Sequence, residues 1–252
     1  MAPSTRHLIA VMGTVVTVDL FNCEADPNVD AAVARVRTLL HEVDRVFSTY
    51  QPSSPINMLR REEISLDTAP PQVAEVLDHC RRAKEMTAGW FDPWALPGGV
   101  DPTGYVKGWA AQMALGALTH LDVSGAIVNA AGDIASFGGP APAVAFRTGI
   151  VHPADGQRLV AVVELRDCLA TSGESQRGAH LFNPFTRNFD SAVASASVAG
   201  PDLGICDALA TALGVGGHEV MVLIDRIEGY EAMTVAADGS MSATGGFPFV
   251  SD

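Results

Sequence analysis

The segment CDALATAL, residues 206–213, places a carboxylate and a hydroxyl one helical turn apart in an otherwise apolar run. Asp207 and Thr211 are four residues apart, so in a helix both side chains lie on the same face. They offer two hard oxygen ligands of the kind that Mg²⁺ prefers, with water and substrate phosphate completing the coordination. A purely structural explanation stays open, in which Asp207 favours the helix dipole and Thr211 bonds back to a carbonyl.

Other side chains that could take part in a reaction or bind a ligand lie in turns. His180, in RGAHLFNPFTR, precedes an Asn-Pro turn, and a histidine beside a phosphate can act as acid, base or hydrogen-bond donor. Asp92 in WFDP and Asp101 in VDPTG either organise turns or accept hydrogen bonds from a ring heterocycle. NAAGDIASFG and ATSGESQRG allow backbone N–H groups to approach an anion, but neither matches a common nucleotide-binding fingerprint.

Composition limits the class of protein. The 252 residues are 48% hydrophobic and 18% charged, which favours a compact globular chain over a disordered one. The length indicates one domain over residues 1–252, or two fused halves at about 1–120 and 121–252. A net charge of −13 with no basic run argues against a nucleic-acid partner.

The cysteines and the N-terminus bear on the compartment. The four cysteines are widely spaced, with no C-x-x-C pair, and are typical of buried thiols in a reducing compartment. The first apolar stretch is broken by Gly13 and has neither a basic n-region nor a long h-region, so it reads as a strand. We expect a cytoplasmic protein with no membrane insertion.

Hydrophobic periodicity predicts the elements that hold these residues. Helical spacing covers residues 29–47, about 71–87, 105–118 and 202–214, and the segment near 219–227 is a short helix or strand. Strand-like segments are 8–21, 126–138, 141–151, 158–173 and 191–200, with a terminal hairpin about Asp238-Gly239. Helices and strands are segregated, without regular βαβ alternation, which favours an α+β fold with antiparallel β-sheets and packed helices.

These segments, taken together, resemble the ApbE family, the FAD:protein FMN transferases, in order and spacing. The resemblance covers about residues 12–245 and is carried by MGT, FSTYQPSSPINMLR, GWFDPW, VDPTGYVKGWAAQ, VNAAGDIASFG, ATSG, HLFNP and CDALATAL. It implies an ApbE-like α+β fold. It also implies an enzyme that cleaves the FAD pyrophosphate, attaches FMN to a threonine hydroxyl of a target flavoprotein and releases AMP.

The resemblance also assigns roles by position. Mg²⁺ would be held by the side chains of Asp207 and Thr211 and by the backbone carbonyls of Gly104 and Ala210. His180 and Asp207 would be catalytic, with His180 beside the reacting phosphates. FAD, as the substrate, would be contacted by Met12, Tyr50, Trp90, Phe91, Asp92, Asp101, Lys107 and Phe182.

The resemblance leaves two alternatives open, and this sequence departs from the family pattern in several places, among them Ala131 and Asn183. Hydrolysis of FAD to FMN and AMP would use the same site with water as acceptor, and a non-catalytic protein would hold FAD without cleaving it. In NAAGD, Ala131 stands where the family commonly has the first glycine of G-G-[DN], and in HLFNP, Asn183 stands where many members have Asp.

Overall fold

An eight-stranded antiparallel sheet forms the centre of the computed structural model, which describes residues 4–24, 27–173 and 181–250. In chain order the strands are β1 (Ser4–Val11), β2 (Thr14–Phe21), β3 (Gly125–Ala130), β4 (Asp133–Gly138), β5 (Phe146–His152), β6 (Asp155–Leu165), β7 (Cys168–Gly173), β8 (Phe182–Asn183), β9 (Asn188–Phe189), β10 (Ser195–Gly200), β11 (Glu231–Val235) and β12 (Met241–Ala243). The sheet order is β1-β2-β3-β4-β7-β10-β11-β12. Two hairpins, β5–β6 and β8–β9, stand apart from it.

Helices cover one face of this sheet. They are α1 (Pro27–Phe47), α2 (Pro55–Arg60), α3 (Pro71–Met86), α4 (Thr103–Gly116), α5 (Leu203–Gly216) and α6 (His218–Ile224). The helices α4 and α5 lie against the central strands, α4 on β3 and β4 and α5 on β7 and β10. Helix α1 packs on α4 and on the edge strand β1, and α3 packs on α5 and α4. The main hydrophobic core lies between these layers.

The β5–β6 hairpin covers the opposite face of the sheet. A second hydrophobic cluster joins Phe146 and Val163 of the hairpin to Ile134, Leu169 and Met233 of the sheet. The sequence neighbours of these sheet residues belong to the main core, as the alternation of strand side chains requires. The central strands are therefore buried on both faces.

The α+β class with antiparallel sheets is confirmed. The long helices begin and end within two residues of the bounds that the hydrophobic periodicity predicts. Two segments expected to be single strands are hairpins instead. Met12 and Gly13 separate β1 from β2, and Ala131 and Gly132 separate β3 from β4, with positive φ at all four residues. Two-residue turns with positive φ match the twist of the strands that they join. Gly13 and Gly132 were the residues in the sequence that could have indicated these turns.

Two further expectations are corrected. The segment 158–173 is divided between β6 and β7, which lie in different sheets. The loop after residue 47 contains the short helix α2, whose N-cap Ser54 accepts a hydrogen bond from the Asn57 N–H at 3.2 Å. Pro and Ser are frequent in loops, which is why a loop was expected here, but the same residues also occur at the start of helices. In the described part of the chain, none of the helices has the length and apolar character to cross a membrane.

Helices α4 and α5 approach closely because glycines of α4 face α5. A Cβ on Gly108 would lie 2.3 Å from the Leu203 carbonyl oxygen and 3.1 Å from the Asp207 Cβ. A Cβ on Gly104, one turn earlier, would lie 3.1 Å from Thr211 Oγ1. The helices therefore run antiparallel, with Gly104 beside Thr211 and Gly108 beside Asp207.

We predict that Gly108→Ala destabilises the fold by about 1–3 kcal/mol, because the added methyl group overlaps backbone atoms of α5 that cannot move independently. Gly116→Ala, in the same helix, is the matched control, since a Cβ there meets no atom within 4 Å. That variant should be neutral or stabilised by up to about 1 kcal/mol. Urea unfolding measures both changes, and equal stability of the two variants would contradict the close helix contact.

All the cysteines are buried free thiols. Burial raises the pKa of Cys80 to about 12 and that of Cys168 to about 12, with the nearby carboxylates Asp207 and Asp167 adding to the two shifts respectively. Burial also raises the pKa of Cys206 well above its ordinary value. These thiols stay protonated in the native protein at pH values where the unfolded chain begins to ionise.

We expect the free energy of unfolding to fall as the pH rises above about 8, since the unfolded thiols release protons there and the native ones do not. Below about pH 7.5 the unfolded thiols are almost fully protonated, so the thiols should contribute almost no pH dependence. The loss at pH 9.5 relative to pH 7.5 should be about 1 kcal/mol per thiol. Urea unfolding at both pH values should show a smaller loss in Cys80→Ala, and an identical loss in that variant would contradict the shift.

Candidate active site

Asp207 and Thr211 lie on the face of α5 that meets α4 and the sheet. Asp207 is the fifth residue of α5 and only 3% exposed. The N-cap is Asp202, whose carboxylate accepts a hydrogen bond from the Ile205 N–H at 2.9 Å. Asp207 is therefore not a first-turn residue, and the helix-dipole explanation for it does not hold.

The partners of Asp207 come from α4. The Gly108 N–H donates to Asp207 Oδ2 at 3.2 Å, and Lys107 Nζ lies 3.6 Å from Asp207 Oδ1. In a regular helix the N–H of residue 108 serves the carbonyl of residue 104. Asp207 therefore accepts a hydrogen bond from an N–H inside α4, one turn after Gly104, and Gly104 lies in the first turn of α4 beside Thr211.

Lys107 joins two buried carboxylates. Its ammonium donates a hydrogen bond to Asp133 Oδ2, and it forms the longer ion pair with Asp207. Asp133 is 0% exposed and begins β4, and its Oδ1 accepts a hydrogen bond from the Thr171 N–H at 3.3 Å. The three side chains form a charge cluster, Asp133–Lys107–Asp207, between the sheet and the two central helices.

A cavity of about 130 Å³ opens beside this cluster. One side is polar and includes Lys107, Thr171, Ser172, Asp207 and Thr211. The other side is mainly apolar or aromatic and comes from the 90–104 segment and β8. The remaining lining residues are Trp90, Phe91, Asp92, Pro93, Leu96, Asp101, Thr103, Gly104, Ala131, Gly173, Leu181 and Phe182. A cavity with one apolar side and one charged side suits a ligand that carries both a ring system and an ionic group.

The two loop carboxylates both organise turns and line the cavity. Asp92 Oδ1 accepts from the Trp94 N–H at 3.0 Å, and Asp92 Oδ2 forms an ion pair with Lys84 at 2.7 Å. Asp101 Oδ1 accepts from both the N–H and the hydroxyl of Thr103, at 3.0 and 2.7 Å. The structural explanation therefore holds for both residues, and both also line the cavity.

Aromatic contacts hold the apolar side of the cavity. The Trp90 ring meets Phe185 edge-on at 4.6 Å between centroids, and the Phe182 ring meets Phe189 at 5.4 Å. Phe91 is buried, and its N–H donates to Thr87 Oγ1 at 3.1 Å, which fixes the loop to the end of α3. The ring positions are thus set by contacts within the protein.

Most of the residues that the sequence singled out meet at this cavity. Trp90, Phe91, Asp92, Asp101, Gly104, Lys107, Phe182, Asp207 and Thr211 all line it. Three do not: Met12 lies in the β1–β2 turn, Tyr50 is 91% exposed, and Ala210 is buried inside α5. Their roles stay predictions. His180 lies outside the described residues.

The departure at Ala131 has a structural consequence. Ala131 has φ +53°, in the left-handed region where a glycine is the usual residue, and it lines the cavity. The turn is held by Asn129, whose side-chain oxygen accepts from the Gly132 N–H at 2.8 Å. The backbone conformation is kept despite the alanine, and its Cβ occupies space beside the cavity.

The sequence reasoning missed three polar residues of the site, Asp133, Thr171 and Ser172. Ser172 Oγ lies 3.5 Å from Thr211 Oγ1, and Thr171 Oγ1 lies 2.9 Å from Ser197 Oγ. Asp133, Thr171 and Ser172 all lay within motifs noted for their glycines. A charged residue at the head of an apolar strand was the available signal for Asp133, since a buried carboxylate requires a partner.

Oxygen atoms dominate the donor set, so the site suits a hard cation. Among the residues described, no cluster of three His, Cys, Asp or Glu side chains could hold a metal ion. Asp207, Thr211 and the Gly104 backbone nevertheless meet at one side of the cavity, and such sets bind Mg²⁺ together with substrate phosphates. The residues present therefore fit a magnesium ion that shares its coordination with a ligand.

Comparison with known proteins agrees with the motif order. A model of the ApbE family matches residues 12–98 and 95–234. The chain belongs to the ApbE family. No curated protein sequence matches this ApbE chain.

Solved ApbE structures share the fold. The flavin transferase ApbE of Vibrio cholerae superposes with a TM-score of 0.83 at 20% identity, covering 99% of this chain and 100% of that chain. The ApbE protein of Thermotoga maritima gives 0.81 at 17% identity, covering 97% and 98%. The flavinyl transferase ApbE of Pseudomonas stutzeri, in its apo form, gives 0.80 at 19% identity, covering 97% and 96%. The whole described architecture is therefore that of the family.

We predict that Ala131→Gly stabilises the protein by up to about 1 kcal/mol, because glycine adopts the left-handed conformation without strain from a Cβ. Ala130→Gly is the control one residue away, on buried extended backbone, and should destabilise by about 0.5–1 kcal/mol. Thermal unfolding of both variants measures the two effects. A lower melting temperature in both would show that the turn at residue 131 is unstrained.

Proposed function

We propose that this protein is a Mg²⁺-dependent FAD:protein FMN transferase. Its substrates would be FAD and a target flavoprotein carrying an acceptor threonine, and its products the FMN-modified threonine and AMP. The observation that carries the proposal is the meeting of Asp207, Thr211 and Lys107 with the aromatic 90–104 loop at one cavity in a chain of the ApbE family. Relatives of the same fold are named flavin transferases.

The cavity accounts for the two kinds of group in FAD. The apolar side, with Trp90, Phe91 and Phe182, suits a flavin ring, and Asp92 and Asp101 could accept hydrogen bonds from ring N–H groups. The polar side suits the pyrophosphate, because Lys107 supplies a cation and the hydroxyl of Ser172 supplies a hydrogen bond. The protein has a net charge of −13 and Lys107 is itself paired with carboxylates, so holding a polyanion would also need the charge of the proposed Mg²⁺.

Asp207 and Thr211 would hold Mg²⁺ by their side-chain oxygens, with the Gly104 backbone carbonyl as a third donor. When bound, Mg²⁺ supplies Lewis acidity and neutralises the charge of the phosphates. Phosphoryl-group transfer depends mainly on positioning and charge neutralisation, and these residues provide both. The buried setting of Asp207, fixed by the Gly108 N–H, keeps the carboxylate in one orientation.

The reaction balances as a substitution at phosphorus. The threonine hydroxyl oxygen forms a bond to the FMN phosphorus, the bond from that phosphorus to the bridging oxygen breaks, and AMP leaves with the bridging oxygen. The hydroxyl proton is released, and His180 is the predicted acceptor of it. Lys107 would offset the negative charge that develops on the phosphate oxygens.

We expect Asp207→Ala to lower the rate of AMP release from FAD by roughly a hundredfold or more, with the fold retained. The measurement is timed AMP release with and without Mg²⁺. Asp78→Ala is the control, because this carboxylate lies on the exposed side of α3 and pairs only with nearby arginines among the residues described. Its rate should equal that of the wild type.

Near wild-type turnover of Asp207→Ala with Mg²⁺ would remove Asp207 from the metal site. Mass spectrometry of a flavoprotein incubated with FAD, Mg²⁺ and the enzyme tests the acceptor. A covalent FMN adduct on threonine supports transfer, whereas free FMN with AMP and no adduct would make the protein an FAD pyrophosphatase. A stable FAD complex without AMP release would make it a binding protein.

A further inference from the structure

The position of Lys107 between two carboxylates raises a question of charge. An ammonium paired fully with Asp207 would compete with a divalent cation for that carboxylate. The ammonium instead donates a hydrogen bond to Asp133, while its distance from Asp207 Oδ1 is 3.6 Å, too long for a hydrogen bond. Lys107 is therefore shared unequally, and the buried Asp133 has the closer contact.

Asp133 is itself firmly held. It is 0% exposed, it heads β4, and its Oδ1 accepts the Thr171 N–H from the neighbouring strand β7. The sheet thus fixes the carboxylate, and the carboxylate fixes the end of the flexible lysine side chain. A lysine held in this way loses rotamer freedom that it would otherwise keep at the edge of an open cavity.

The charges of the cluster add up in a way that favours a cation. Asp133 and Asp207 with Lys107 carry a formal net charge of −1, which attracts a divalent ion. Without the Asp133 charge the remaining pair is neutral, and the ammonium is free to move onto Asp207. At such short distances in a partly buried site, one unit of charge changes the binding of an ion severalfold to many-fold.

We propose that Asp133 is a positioning residue that holds the Lys107 ammonium away from Asp207 and so leaves the Asp207 carboxylate available to a divalent cation. This inference rests on the proposed function, since the cation site at Asp207 is part of it. It adds a role for Asp133, which acts on the cation through Lys107.

Asp133→Asn tests the charge with little change of shape, because the amide oxygen can still accept the Thr171 N–H. We expect Mn²⁺, used as a paramagnetic substitute for Mg²⁺, to bind this variant about tenfold more weakly than the wild type. The Mg²⁺ concentration needed for half-maximal AMP release should rise by a similar factor. Electron paramagnetic resonance of free Mn²⁺ gives the first quantity without any turnover.

The double variant Asp133→Asn/Lys107→Met separates positioning from a structural role. It removes one charge of each sign and leaves Asp207 with its carboxylate, so Mn²⁺ affinity should return to within about threefold of the wild type. A merely structural defect at Asp133 would persist or worsen in the double variant. Mn²⁺ affinity as low as in the single variant would therefore overturn the proposal, as would an unchanged affinity in Asp133→Asn.

Lys107→Met alone provides a second test that does not depend on the folding of Asp133→Asn. Removing the ammonium should tighten Mn²⁺ binding relative to the wild type, and equal or weaker binding would count against the proposal. Asp207→Ala, measured in parallel, separates the two claims. If it abolishes Mn²⁺ binding while Asp133→Asn has no effect, only the positioning role fails; if it binds Mn²⁺ as the wild type does, the proposed cation site itself fails.

Discussion

The contact between α4 and α5 at Gly108 is the constraint on which the site depends. A carboxylate inside an apolar helix is costly to bury unless hydrogen bonds and an opposite charge compensate it. Consecutive residues of α4 provide both, the Gly108 N–H and the Lys107 ammonium. They reach Asp207 only because residue 108 has no side chain to separate the helices. The backbone of one helix thus forms part of the binding surface of the other.

The sheet completes what the helices begin. The neighbouring strand β7 lines the cavity with Thr171 and Ser172, β4 supplies the Asp133 carboxylate that holds Lys107, and the 90–104 loop adds aromatic rings to the lining. The β5–β6 hairpin buries the other face of these strands. A strand packed on both sides has little freedom to shift, so the polar groups it carries keep their spacing. This rigidity is what a site that works by positioning requires.

The sequence predicted the parts of the fold that depend on local pattern. The periodicity of α1 and α5 and the Gly/Pro-rich loop needed no knowledge of distant residues, and the pair Asp207 and Thr211 was found because i, i+4 spacing decides their common face. Asp133 escaped notice because a residue at the head of a strand after a glycine turn is usually part of the turn. Its partner Lys107 is 26 positions away, and only the tertiary fold brings them together. The order of the motifs also gives no distances between residues. Tyr50 was therefore predicted to contact FAD although its side chain is exposed in the structure.

The separation of α4 and α5 along the chain has a consequence for synthesis. The Gly108–Asp207 hydrogen bond joins residues 99 positions apart, and α5 is almost wholly buried, with no charged group other than Asp207. A nascent polypeptide that has emerged from the ribosome only as far as residue 200 already has the aromatic loop and Lys107, but it lacks the carboxylate that Lys107 pairs with on α5. The α5 side of the cavity is therefore completed only late in translation, and a chain truncated before α5 would keep every described lining residue except Asp207 and Thr211.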